Sequence, residues 1–223
     1  MNDLQGNPIK KNSQGLPKGI YGILGEKFSR GRTNVETARQ MAAHGVKIIQ
    51  YREKAHLKSR KAMLAECLEI REITQRAGVM FIVNDFLDLA LMARADGVHV
   101  GQDDLPVRAV KALAPHLVVG CSTHSPEQAA RAVADGADYI GAGPVFSTQT
   151  KEDVCDAVGL DYLDHVAANL DIDFVAIGGI KRHNLEQVLS RGAKTVCLVT
   201  EIIGARDIGR RIGQIRAVMD GLD

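Results

Sequence analysis

The chain has 223 residues, 45% hydrophobic and 25% charged, which fills the core of one globular domain and excludes wholesale disorder and collagen-like fibres. With 28 Lys and Arg against 27 Asp and Glu, the net charge of +1 provides no global basic field for sequence-independent nucleic-acid binding, so any anion must be held by local charge. No apolar run reaches the roughly 18 residues of a membrane span and the first residues lack the apolar centre of a signal peptide; no membrane partner is expected, and the cytoplasm is the expected compartment.

Residues 1–18 are polar, without apolar period, and are expected to form a flexible extension ahead of a single domain over 19–223. From there the chain repeats a short β-branched apolar run, a turn, and a longer stretch with apolar residues three and four apart. The expected strands are Ile20–Leu24, Val46–Gln50, Val79–Val83, Gly97–Val100, Leu117–Cys121, Tyr139–Gly143, Phe174–Ile177 and Thr195–Val199. Helical patterns lie between them, for example Asn34–His44, and Pro126–Asp135 with Ser125 as its cap. Gly45, Gly78, Gly136 and Gly192 supply the left-handed residue that ends a helix. Eight βα units recurring about every 25 residues predict a (β/α)8 TIM barrel. An open doubly wound sheet would have fewer strands and a G-x-G-x-x-G turn after the first.

A barrel places its chemistry where strands end and βα loops begin. The second strand runs into Gln50-Tyr51-Arg52-Glu53-Lys54, and period-two alternation puts Gln50, Arg52 and Lys54 on one side; the bland alternative is a solvated charged loop. Asn84-Asp85 ends the third strand, and the fourth leads into Gly101-Gln102-Asp103-Asp104. Carboxylates from adjacent strands thus reach one rim, and such hard oxygen donors suit Mg2+ sharing its shell with water and a substrate phosphate. Either Asp alone is equally suited to capping a helix. The fifth strand offers Ser122 and His124, the latter a general acid or, more commonly, a structural histidine, while His99 inside the fourth strand reads as a satisfied core residue.

After the sixth strand a long polar connection carries Thr148, Thr150 and Lys151, hydroxyls and a cation suited to oxyanions in a lid. Gly178-Gly179 after the seventh strand and Val199-Thr200 after the eighth fall at a barrel's usual phosphate cradle. Arg52, Lys54, Lys151 and one Mg2+, set against Asp85 and Asp104, leave about three positive charges for the roughly three negative charges of a diphosphate. A separate cradle implies a second, monophosphorylated ligand, and two phosphorylated ligands suggest group transfer. The four cysteines have no metal-ligand spacing and read as free thiols.

Gln50-Tyr51-Arg52-Glu53-Lys54, Val83-Asn84-Asp85, the run Asp96–Asp104, Thr148-Gln149-Thr150-Lys151 and Ala176-Ile177-Gly178-Gly179-Ile180, in this order and spacing, resemble the thiamine phosphate synthase family from about Ile20 to the last helix. The resemblance implies a transferase of thiamine biosynthesis that joins 4-amino-2-methyl-5-hydroxymethylpyrimidine diphosphate to a thiazole phosphate or its carboxylated form, releasing pyrophosphate. Gln50, Arg52, Lys54, Asn84, Ser122 and Lys151 occupy the family's pyrimidine diphosphate positions, with Arg52, Lys54, Lys151 and Ser122 as the catalytic set. Asp85 and Asp104 occupy the magnesium positions, and Thr148, Thr150, Gly179, Val199 and Thr200 those of the thiazole phosphate. Tyr51, Thr200 and Glu201 depart from the most familiar pattern. Tyr51 should point away from Gln50 and Arg52, whereas an inward Glu201 would oppose a phosphate. Partners are then small molecules, and a homo-oligomer is compatible. Two other readings stand beside this one: a thiazole tautomerase, with His124 moving a proton, and a non-catalytic phosphate-binding barrel.

Overall fold

The computed structural model describes residues 15–148, 150 and 155–221. Eight strands, β1 (Gly19–Leu24), β2 (Ile48–Tyr51), β3 (Met80–Asn84), β4 (Gly97–Val100), β5 (Val118–Thr123), β6 (Tyr139–Ala142), β7 (Asp173–Ile177) and β8 (Thr195–Cys197), pair in parallel, each with the next, and β8 returns to β1 to close a barrel. Around it run α1 (Asn34–Ala43), α2 (Arg60–Ala77), α3 (Leu87–Met92), α4 (Val107–Leu113), α5 (Pro126–Ala134), α6 (Gly159–Asn169), α7 (Leu185–Leu189), a short extra α8 (Val199–Ile203) and α9 (Ile208–Asp220). Among the described residues no helix is long and apolar enough to cross a membrane.

Alternation along each strand divides the core in two. Outward residues such as Ile49, Tyr51, Phe81, Val83 and Val98 pack beneath the helices in a continuous outer layer. Inward residues, among them Tyr21, Ile23, Ile48, Ile82, Tyr139 and Val175, form a smaller cluster inside the barrel. Leu16 joins that inner cluster. Its N–H donates to Asp173 Oδ2 at 2.6 Å, and the Pro17 carbonyl accepts from Thr195 Oγ1 at 3.1 Å, so the chain lies on the barrel before residue 18, the expected end of the extension. Residues 1–14 lie outside the described residues.

Two departures from the expected boundaries have local causes. Val46 was expected to open the second strand, but its N–H turns back to the Met41 carbonyl (3.2 Å) while Gly45 N–H bonds that of Ala42 (3.4 Å), closing α1 before β2 begins at Ile48. The eighth strand stops at Cys197, and the β-branched pair Val199-Thr200 opens α8 instead, because Ile202 and Ile203 are fully buried and a helical turn seats both in the outer layer. Thr33 caps α1 in a reciprocal box with Glu36, and Ser125 caps α5 ahead of Pro126.

Gly120 in β5 is required by space. A Cβ there would lie 2.1 Å from Tyr139 Cζ and 2.5 Å from His99 Nδ1, both belonging to buried rings. Gly120→Ala should therefore destabilise the fold by about 1–3 kcal/mol through overpacking. Thermal melting reads this directly: the melting temperature is expected to fall by several degrees, and a wild-type value would show that the two rings yield freely.

Candidate active site

Strand alternation assembles the site. At the end of β2, Tyr51 points away from Gln50 and Arg52, as expected, and its hydroxyl donates to Glu66 Oε2 at 2.6 Å, while Glu53 Oε1 accepts from Glu26 N–H (2.9 Å) and Asn34 Nδ2 (2.8 Å). Gln50, Arg52 and Lys54 consequently face a cavity of about 800 Å3 at the C-terminal mouth of the barrel. Asn84, Asp85, Asp104, Ser122, Thr148, Thr150, Gly179, Val199 and Thr200 line the same cavity. Lys151, expected on the lid, lies outside the described residues.

A chain of hydrogen bonds crosses the cavity floor. Gln50 Nε2 donates to the Tyr21 hydroxyl (2.8 Å), which bonds the Tyr139 hydroxyl (2.9 Å); Tyr139 bonds His99 Nδ1 (3.0 Å), and His99 Nε2 bonds Ser122 Oγ (2.9 Å). Burial pushes the pKa of both tyrosines well above the ordinary value, so each hydroxyl keeps its proton. An amide nitrogen only donates, so the Tyr21 hydroxyl oxygen accepts from Gln50. Tyr139→Phe would strand two buried partners and should destabilise the protein by about 1–3 kcal/mol in denaturant unfolding. Unchanged stability would mean that the chain contributes nothing to the folded state.

At the adjoining rim, Asp85 sits at φ 62 in a tight turn, with Phe86 N–H donating to the Asn84 carbonyl at 2.7 Å. A left-handed aspartate under such a turn is a strained conformation of order 1–3 kcal/mol. Asp85 N–H donates to the His99 carbonyl at 2.8 Å, tying this turn to β4. The Asp104 carboxylate, itself accepting from Gly101 N–H at 2.7 Å, faces Asp85. Burial and then the Asp104 charge raise the Asp85 pKa to about 6, with Lys54 and Arg52 pulling the other way. Two carboxylates held against their own repulsion form a hard-oxygen donor set that fits Mg2+ with water and phosphate completing the shell. Among the described residues, no three His, Cys, Asp or Glu side chains gather into a metal-holding group.

Opposite, the connection after β6 packs on the glycine pair that follows β7. Phe146 N–H donates to the Gly178 carbonyl at 3.0 Å, and a Cβ on Gly179 (φ 64) would stand 2.7 Å from the Phe146 and Ser147 carbonyl oxygens. Only glycine permits that approach. Thr148 and Thr150 hydroxyls meet at 3.0 Å beside it. Glu201 faces away from an incoming anion: one oxygen pairs with Arg211 Nη1 and the other lies 3.7 Å from Lys181 Nζ. His124 also lines the cavity, and its Nδ1 donates to the Gly143 carbonyl.

Sequence reasoning missed Tyr21, Tyr139 and Lys181, and it read His99 only as a satisfied core residue. His99 is buried and bonded at both ring nitrogens, yet it lines the cavity. Inward alternation marks all three strand residues as barrel-facing, but nothing in the sequence sets their depth. Lys181 had a usable signal, since it follows the glycine cradle by two positions.

The family model described as thiamine monophosphate synthase matches residues 20–202, the stretch that builds this barrel and its mouth. The chain belongs to the thiamine monophosphate synthase family. Within it, the thiamine-phosphate synthase of Pelotomaculum thermopropionicum is 54% identical over 205 residues, covering 92% of this chain and 93% of the relative. That of Lawsonia intracellularis is 48% identical over 202 residues, covering 90% and 92%. A solved thiamine phosphate pyrophosphorylase from Pyrococcus furiosus superposes with a TM-score of 0.84 at 32% identity, over 91% of this chain and 96% of that one. A 3-hexulose-6-phosphate synthase, at a TM-score of 0.63 and 22% identity over 91% of this chain and 99% of the other, shares the fold alone.

Proposed function

We propose that this thiamine monophosphate synthase family member condenses 4-amino-2-methyl-5-hydroxymethylpyrimidine diphosphate with a thiazole phosphate, or its carboxylated form, to give thiamine phosphate and pyrophosphate. The observation that carries the reading is a single cavity with two cations and a carboxylate pair at one rim and a glycine and threonine cradle at the other. That arrangement suits two phosphorylated reactants meeting end to end.

Gln50, with its nitrogen committed to Tyr21, presents its carbonyl oxygen to the pyrimidine's exocyclic amine, and the Ser122 hydroxyl, bonded to His99 at the cavity wall, contacts the donor substrate. Asn84 completes that grip. Arg52 and Lys54 lie where negative charge grows on the departing diphosphate as the C–O bond breaks, and the resemblance adds Lys151 from the lid. Asp85 and Asp104 would hold Mg2+, whose contribution when bound is to neutralise the leaving group. Thr148, Thr150, Gly179, Val199 and Thr200 receive the acceptor phosphate and aim the thiazole nitrogen at the exposed carbon. Because both substrates are charged and membrane-impermeant, we infer the cytoplasm as the compartment.

The test is direct. Incubation with both heterocycles and Mg2+ should release pyrophosphate and form thiamine phosphate in equal amounts. Isomerised thiazole without pyrophosphate would replace this reading with the tautomerase, and binding without any turnover would favour the phosphate-binding barrel.

A further inference from the structure

Among the described residues, the Lys and Arg side chains lining the cavity are Arg52 and Lys54 at the β2 rim and Lys181 beyond β7. The first two, with the metal site, serve the diphosphate. The cradle opposite offers hydroxyls and backbone N–H groups, all neutral, to a phosphate monoester that carries about −1.5 to −2 charge at neutral pH. Lys181 stands at that end. Its own backbone is held by Asn184, whose Oδ1 accepts from Lys181 N–H at 2.7 Å and whose Nδ2 donates to the Gly179 carbonyl at 3.2 Å. Lysine position and glycine cradle are thus set by one side chain.

The ammonium is also oriented. Lys181 Nζ donates to Thr200 Oγ1 at 2.7 Å, so the Thr200 hydroxyl accepts there and its proton is released toward the cavity. Glu201 offsets the lysine only in part: its Oε2 is 3.7 Å away, beyond hydrogen-bond length, and its other oxygen pairs with Arg211. Two cations share one carboxylate, leaving a net positive charge beside the cradle.

We propose that Lys181 is a specificity-determining residue for the acceptor, binding its phosphate monoester directly and turning the Thr200 hydroxyl to donate to the same group. This rests on the function proposed above and adds to it the cation that the acceptor phosphate requires. A charge-assisted contact of this kind gives a loss of about 10- to 100-fold when removed.

The experiment compares wild type, Lys181→Met and Lys181→Arg in calorimetric titration with thiazole phosphate alone and in steady-state kinetics, after thermal melting has shown that each variant is folded. Lys181→Met is expected to raise Kd and KM for thiazole phosphate about 10- to 100-fold with the KM for pyrimidine diphosphate unchanged. Lys181→Arg should recover part of the loss. With the unphosphorylated thiazole alcohol as acceptor, wild type and Lys181→Met should be indistinguishable, because the charge has nothing to meet. Wild-type binding of thiazole phosphate by Lys181→Met, or an equal loss on the alcohol, overturns the assignment while leaving the transferase reading intact. If wild type forms no thiamine phosphate, the transferase reading falls, and this inference falls with it.

Discussion

Asp85→Asn should lower kcat/KM by about 10²–10³-fold at fixed Mg2+ and move the magnesium titration to higher concentration, as expected when one group stabilising transition-state charge is removed. The substitution leaves the turn undisturbed, because asparagine is isosteric with aspartate and meets the same steric demand at a φ of 62. Stability should move in the opposite sense. The folded carboxyl has its pKa raised to about 6 by burial and Asp104, so the native state holds its proton more tightly than the unfolded chain does. The resulting destabilisation is absent below the ordinary carboxylate range, grows as pH rises toward about 6, and is complete above it. Asparagine never ionises and escapes this cost. The metal-free variant should accordingly melt at a higher temperature than wild type above about pH 6, and no differently in strong acid. An unchanged magnesium titration would remove Asp85 from the metal shell whatever the melting curves show.

Arg52→Lys should lower kcat/KM by about 10²-fold with little change in stability. Lysine keeps the charge but replaces a planar fork, able to hold two diphosphate oxygens at once, by a single point. Arg52 also lies near enough to Asp85 to lower its pKa, and lysine preserves that influence, so a loss of rate in this variant isolates the bidentate geometry. Steady-state kinetics at limiting pyrimidine diphosphate make the test, and a wild-type kcat/KM would take Arg52 out of leaving-group stabilisation.

Much of the site was legible because a barrel translates sequence position into spatial position. Once a strand is recognised, its C-terminal end is at the mouth and its alternate residues face inward, which suffices to place Gln50, Arg52 and Lys54 together and to turn Tyr51 and Glu53 outward. Helix stops were legible for a related reason: Gly45, Gly136 and Gly192 adopt the positive φ for which glycine is the least strained residue. The errors fall where one residue type serves two local structures. Val46 has the branching of a strand residue yet closes a helix, and Val199-Thr200 has strand propensity yet helical conformation; in each case the bond or burial that decides comes from neighbours that propensity does not weigh.

Composition, alternation and the placement of Gly and Asp along the chain were by themselves enough to determine the eightfold barrel and to name many of the side chains that line the cavity at its C-terminal mouth. Those properties follow from periodicity, which is local. Only the tertiary structure decided that Tyr21 and Tyr139, 118 residues apart, share a hydrogen bond under His99 and Ser122, that Asp85 and Asp104 oppose each other, and that Glu201 turns to Arg211 and leaves Lys181 beside the cradle. These depend on the stagger with which the strands close and on the angles at which loops leave them, distances fixed by the packing of the whole barrel rather than by any single stretch of chain.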